Sequence, residues 1–135
     1  MLNRICHLGY AVEDIEAASE FYRENFGAVL GELEVVEEQG IVATMFRVGE
    51  SQIELVQPTR PDSPVGKFLA KHGEGFHHVA FEVDDLREAL SELKRNGVNL
   101  IDEEPRRGLG GMKIAFIHPE GAFGVLTELV ELAHA

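Results

Sequence analysis

The sequence predicts an α+β fold made of two paired βαβββ modules with pseudo-two-fold symmetry, their curved sheets enclosing a cleft. Three observations carry this. First, the chain repeats itself: "HLGYAVEDIEAASEFYRENFG" (His7 to Gly27) aligns with "HVAFEVDDLREALSELKRNG" (His78 to Gly97), an offset of 71 from position 7 to position 78. His7 falls on His78, Val12 on Val83, Asp14 on Asp85, Ile15 on Leu86, Ala18 on Ala89 and Asn25 on Asn96. Second, each copy opens with the alternation of a strand and continues into the apolar periodicity of a helix. Third, "IELV" (Ile53 to Val56) matches "TELV" (Thr127 to Val130), an offset of 74 from position 54 to position 128, so each copy also closes on a Glu-bearing strand. A module of this size buries too little surface alone. The whole chain, 1–135, is therefore read as one domain: module one over about 1–58, a linker with a short helix over about 59–74, and module two over about 75–135.

The elements follow in order. Arg4 to Val12 alternates as a strand. Asp14 is an N-cap for a helix over Ile15 to Asn25, with Ile15, Ala18, Phe21, Tyr22 and Phe26 expected on its core face. Gly27 is placed to end it. Strands are expected near Val29 to Val36, Ile41 to Val48 and Gln52 to Val56, with Gly49-Glu50 as a tight turn. The segment "PTRPDSPVGKFLAKHGEG" breaks the sheet and contains a short helix at "PVGKFLAK". The second module repeats the order: strand Phe76 to Val83, helix Leu86 to Asn96, then strands near Asn99 to Glu103, Met112 to Ile117 and Val125 to Leu132.

Bulk properties narrow the classes. The net charge of −12 repels nucleic acid and anionic membrane, so neither is expected as a partner. One cysteine, Cys6, forms no internal disulfide and suits a reducing compartment. There is no apolar run of roughly 18 residues and no signal-peptide layout at "MLNRICHLGYAVED". These readings place the chain in the cytoplasm.

Strand parity sorts the candidate chemistry. In the first strand Cys6, Leu8, Tyr10 and Val12 form a bulky face expected to pack on the helix, and His7, Gly9 and Ala11 form the other. In the repeated strand His77, Val79, Phe81 and Val83 oppose His78, Ala80 and Glu82. Parity and repeat agree that His78 is the counterpart of His7, while His77 turns toward packing. Glu54 and Glu128 sit at matching places among large apolar neighbours, where a carboxylate is costly unless paired, solvated or bound to metal. Curved strands bring His7, Glu54, His78 and Glu128 together near the pseudo-two-fold axis. Two imidazoles and two carboxylates suit a divalent ion of the Mn, Co, Ni or Zn type and leave two octahedral positions for substrate oxygens. A lone strand His or Glu is usually structural; four at repeat-matched positions are harder to explain that way. His72, His118 and His134 read as linker, turn and terminal residues, and Cys6 as a small buried hydrophobe.

The doubled pattern with these four residues resembles the vicinal oxygen chelate (glyoxalase/bleomycin resistance/dioxygenase) superfamily and, within it, the methylmalonyl-CoA epimerases. The blocks "DSPVGKFLAKHGEGFHH" and "LIDEEPR…IHP" are the most discriminating, and the similarity runs over almost the whole chain. The resemblance implies an isomerase that interconverts the (R) and (S) forms of methylmalonyl-CoA, acting as a homodimer on a CoA thioester. It implies one divalent metal per site, cobalt most favoured and Zn, Mn or Ni possible. By position it assigns His7, Glu54, His78 and Glu128 as metal ligands and Glu128 as a catalytic acid/base. Some members carry Gln at the Glu54 position; a Glu there adds negative charge and resembles glyoxalase I. Some also place a second Glu where this chain has Ala43, so the second acid/base is unassigned. Arg106, Arg107, Lys113, Lys67 and Lys71 are candidates to meet CoA phosphates, or ordinary surface cations. Two alternatives accompany this reading: a glyoxalase I-like lyase or isomerase acting on a thiol adduct of a 2-oxoaldehyde, and a non-catalytic antibiotic-sequestering protein. The latter has no need of a full ligand quartet.

Overall fold

The computed structural model describes residues 1–132, and His134 lies outside them. The described residues contain eight strands and three α-helices: β1 (Leu2–Ala11), α1 (Ile15–Phe26), β2 (Glu34–Val36), β3 (Ile41–Val48), β4 (Ser51–Pro58), α2 (Pro64–His72), β5 (Gly75–Val83), α3 (Leu86–Arg95), β6 (Arg106–Arg107), β7 (Lys113–Ile117) and β8 (Thr127–Glu131). The fold is mixed α+β, with βαβββ connectivity occurring twice, as the repeat predicts. The chain divides into two compact units, one spanning His7–His77, the other joining Met1–Cys6 to the chain from His78 onward.

In the unit His7–His77 the strand order is β2-β3-β4-β1. β1 runs parallel to β4, and β3 is antiparallel to both β4 and β2. α1 and α2 both pack against β4. Asp14 caps α1, its Oδ1 accepting the Ala17 N–H at 3.1 Å. Gly27 ends the helix at φ +66°, a conformation that costs glycine nothing. The first N–H of the helix, at Ile15, donates to Gln57 Oε1 at 2.8 Å.

In the other unit the order is β5-β8-β7-β6, again with one parallel pair, β5 with β8, and two antiparallel pairs. α3 packs on β7 and β8, and Leu86, Ala89 and Leu90 join Val83, Ala115, Ile117 and Leu129 in a closed apolar cluster. The opposite side of this sheet holds Ala80, Ile114, Phe116 and Val130, with Cys6 packed among them. Asp85 caps α3 as Asp14 caps α1, accepting the Glu88 N–H at 3.0 Å. The first N–H of α3, at Leu86, donates to Glu131 Oε1 at 2.9 Å, so the two helices begin on the same device.

Several expectations are corrected. The strand expected over Val29 to Val36 is confined to Glu34–Val36. Its first part is instead tied to β3 by the Gly31 N–H on Met45 O and by Thr44 Oγ1 on Gly31 O, leaving Val29 exposed. The strand expected at Asn99 to Glu103 reduces to a single bridge, Leu100 with Ile117, because the N–H groups of Ile101 and Asp102 both turn onto Phe116 O. The edge strand forms at Arg106–Arg107, after Pro105. On α1, Ile15 and Ser19 are buried, whereas Phe21 and Phe26 are exposed and stack around Tyr22. Tyr22 meets the sheet through Phe46, the ring centroids 4.9 Å apart. Cys6 is buried, as expected, but in the Phe116 cluster rather than against a helix.

Candidate metal centre

Buried polar side chains must be satisfied, and several of these have structural partners. Thr44 Oγ1 donates to Gly31 O at 2.7 Å, Ser63 Oγ accepts the Gly66 N–H at the start of α2, and Thr127 Oγ1 donates to Val125 O at 3.0 Å. His77 is buried with its ring edge-on to Phe68 of α2, the centroids 4.8 Å apart. His7, Glu54, His78 and Glu128 are buried too, and they occur as two His–Glu pairs.

The strand ladders build both pairs by one rule. In the parallel ladder of β1 and β4, Gly9 pairs with Glu54. His7 lies two residues before Gly9, on the same face, so its ring turns toward Glu54. His7 Nε2 lies 3.5 Å from Glu54 Oε1. In the ladder of β5 and β8, Ala80 pairs with Glu128, and His78 lies two residues before Ala80. His78 Nε2 lies 3.0 Å from Glu128 Oε1. Small residues, Gly9 and Ala80, occupy the place opposite each carboxylate and leave the imidazoles room.

The antiparallel neighbours differ between the modules. Met45 pairs with Glu54, whereas Phe116 pairs with Glu128 and sets its ring edge-on to His78 at 5.8 Å. Asp102 steadies this strand, its Oδ2 accepting the Phe116 N–H at 2.9 Å. Sequence reading passed over Phe116, Asp102, Gln57 and Glu131. The last two were within reach of the repeat, each lying three residues beyond its Glu.

Each of the four side chains offers one donor atom, a ring nitrogen or a carboxylate oxygen, and the four are a group that could hold a metal ion. Two buried imidazoles and two buried carboxylates are a donor set that a divalent cation satisfies and that is costly without one. The residues present therefore fit a metal ion.

Other singled-out residues lie elsewhere. His118 Nδ1 accepts the Glu120 N–H at 3.1 Å in a turn, as expected, and His72 is exposed on α2. Ala43 is fully buried and offers no ionisable group. Lys67, Lys71, Arg107 and Lys113 are exposed, with Lys113 Nζ 3.6 Å from Glu131. No helix among the described residues is long and apolar enough to cross a membrane.

Comparison with known proteins bears on this geometry. The family model of the glyoxalase/bleomycin resistance protein/dioxygenase superfamily matches residues 6–116. The mitochondrial methylmalonyl-CoA epimerase of Mus musculus is 37% identical over 129 residues, covering 95% of this chain and 72% of that protein. The ethylmalonyl-CoA/methylmalonyl-CoA epimerase of Cereibacter sphaeroides is 34% identical over 134 residues, covering 98% of this chain and all of that one (100%). A solved structure of Streptomyces coelicolor methylmalonyl-CoA epimerase, a variant in complex with 2-nitronate-propionyl-CoA, is similar with a TM-score of 0.96 and 44% identity, covering 100% of this chain and 98% of that chain.

Proposed function

Because the chain belongs to the glyoxalase/bleomycin resistance protein/dioxygenase superfamily, we propose that it is a metal-dependent methylmalonyl-CoA epimerase, an isomerase that inverts the α-carbon between thioester and carboxylate. The observation that carries this is the buried quartet of two imidazoles and two carboxylates, taken with the epimerase relatives. Those relatives favour this reading over the glyoxalase I-like and sequestering alternatives.

His7, Glu54, His78 and Glu128 would hold the ion. When bound, a divalent cation supplies Lewis-acid stabilisation for the negative charge that develops on substrate oxygen as the α-proton leaves. The resemblance to the family favours Co, and the donor set suits Zn, Mn or Ni as well. The chain's own residues do the rest. Glu128 takes the α-proton at a carboxylate oxygen on one face of the α-carbon. His78, braced by Phe116, fixes where that carboxylate points. The side chains of His78 and Glu128 are themselves closed off from solvent, which limits competition by water for the proton. Return of a proton on the opposite face needs a second donor, and Ala43 is not it. The whole chain is taken as one domain, acting as a homodimer in the reducing cytoplasm.

The test is incubation with methylmalonyl-CoA in deuterated water. Deuterium enters the α-carbon in the metal-loaded protein, and the rate falls to background after a chelator strips the ion. Absence of metal-dependent exchange overturns the reading.

A further inference from the structure

Arg106 carries a positive charge on the face of the sheet that bears Glu128, and the mechanism above makes no use of it. The register fixes its direction. Arg106 pairs with Ile114, and Ile114 with Val130; directly paired residues share a face. Val130 lies two residues beyond Glu128 and therefore faces the same way. Gly108, two residues after Arg106, agrees: a Cβ built there would lie 2.8 Å from Ile114 Cγ2. Two strand spacings and two residues along the strand put the Cα atoms of Arg106 and Glu128 about 12 Å apart. An extended Arg and Glu together cover most of that gap. A small anion seated beside Glu128 is within reach of the guanidinium; a phosphate at the far end of a pantetheine arm is not.

The side chain also sits beside an acid. Arg106 Nε is buried 3.3 Å from Asp102 Oδ1, an ion pair without a hydrogen bond, while the side chain as a whole keeps 34% of its exposure. Asp102 is itself held by the Phe116 N–H, and Phe116 is the cross-strand partner of Glu128. A guanidinium whose Nε faces Asp102 still has its outer nitrogens to present as a planar fork, the geometry that matches a carboxylate. On a chain of net charge −12, an anionic acyl group approaching Glu54 and Glu128 gains from such a cation.

We propose that Arg106 pairs with the free carboxylate of the acyl group and so selects malonyl-type thioesters over simple acyl thioesters. This rests on the epimerase reading above. The experiment is calorimetric titration of the metal-loaded protein with methylmalonyl-CoA and with propionyl-CoA, which lacks the carboxylate. Arg106→Gln should weaken methylmalonyl-CoA about 10- to 100-fold and leave propionyl-CoA unchanged. Arg106→Lys keeps a cation beside Asp102 but not the fork. It should fall between the two, and it decides the question should the Gln variant fail to fold. Equal weakening of both thioesters would assign Arg106 to the shared CoA portion, and no weakening of either would remove it from the site; each overturns the proposal. A wild-type protein that fails to exchange the α-proton sinks the epimerase reading alone, because the ratio of the two affinities still decides Arg106.

Discussion

Nε2 of His78 lies 3.0 Å from Oε1 of Glu128, with both side chains closed off from solvent. His77, its chain neighbour, is also buried but turns its edge to Phe68. Adjacent strand residues point to opposite faces, so one histidine meets the carboxylate and the other meets a helix. His78→Ala should therefore lose metal, by more than the roughly 10- to 100-fold typical of residues that only support a ligand. His77→Ala should keep its metal and instead lose stability, by at least the 0.5–1.5 kcal/mol or so of an edge-to-face ring contact. Metal content by elemental analysis and unfolding in urea separate the two. Loss of metal from the His77 variant alone would reverse the assignment.

Glu54 and Glu128 are alike in burial and in ladder position, yet only Glu128 is given a proton to carry. Their amide variants should part company. Glu54→Gln removes a negative charge from the donor set, so metal binds more weakly, while exchange of the α-proton persists once metal is supplied. Glu128→Gln removes the proposed base, and exchange should fall about 100-fold or more even in the metal-loaded protein. Deuterium incorporation at saturating metal checks both. Equal loss in the two variants would contradict the distinct role of Glu128.

Gly66 sits on the first turn of α2, where a Cβ would lie 2.6 Å from Pro61 O and 2.8 Å from Arg60 O. Those are backbone atoms, and the Gly66 N–H is already committed to Ser63 Oγ. The helix cannot yield on one side without losing its cap on the other. Gly66→Ala should cost about 1–3 kcal/mol, the usual range for overpacking, with no change in metal stoichiometry. Chemical denaturation reads the cost directly.

Much of this architecture was legible in the chain. The His7/His78 and Glu54/Glu128 matches lead to two buried His–Glu pairs because a repeated sequence folds to a repeated ladder. Asp14 and Asp85 announce helix starts by chemistry that is local. What stayed hidden depends on long-range pairing. Val29 to Leu33 has the composition of a strand, but the Gly31 N–H finds Met45 O and the ladder starts only at Glu34. Phe21 and Phe26 fit a core face by periodicity, yet α1 turns Ser19 inward and leaves those rings outside. The ring of Phe116 on His78 and the hold of Asp102 on the Phe116 N–H join β5, β7 and the segment before β6, a relation that no local pattern encodes.

The two long-range helix starts have a consequence for the donor carboxylates. Gln57 is three residues beyond Glu54 and holds the first N–H of α1; Glu131 is three residues beyond Glu128 and holds the first N–H of α3. Sliding either strand by one residue would carry its Glu to the opposite face and, in the same motion, unhook a helix that is packed on that sheet. Each helix thus acts as a stop that keeps its carboxylate in phase with the histidine, and the price of a slipped register is paid at the far end of the strand.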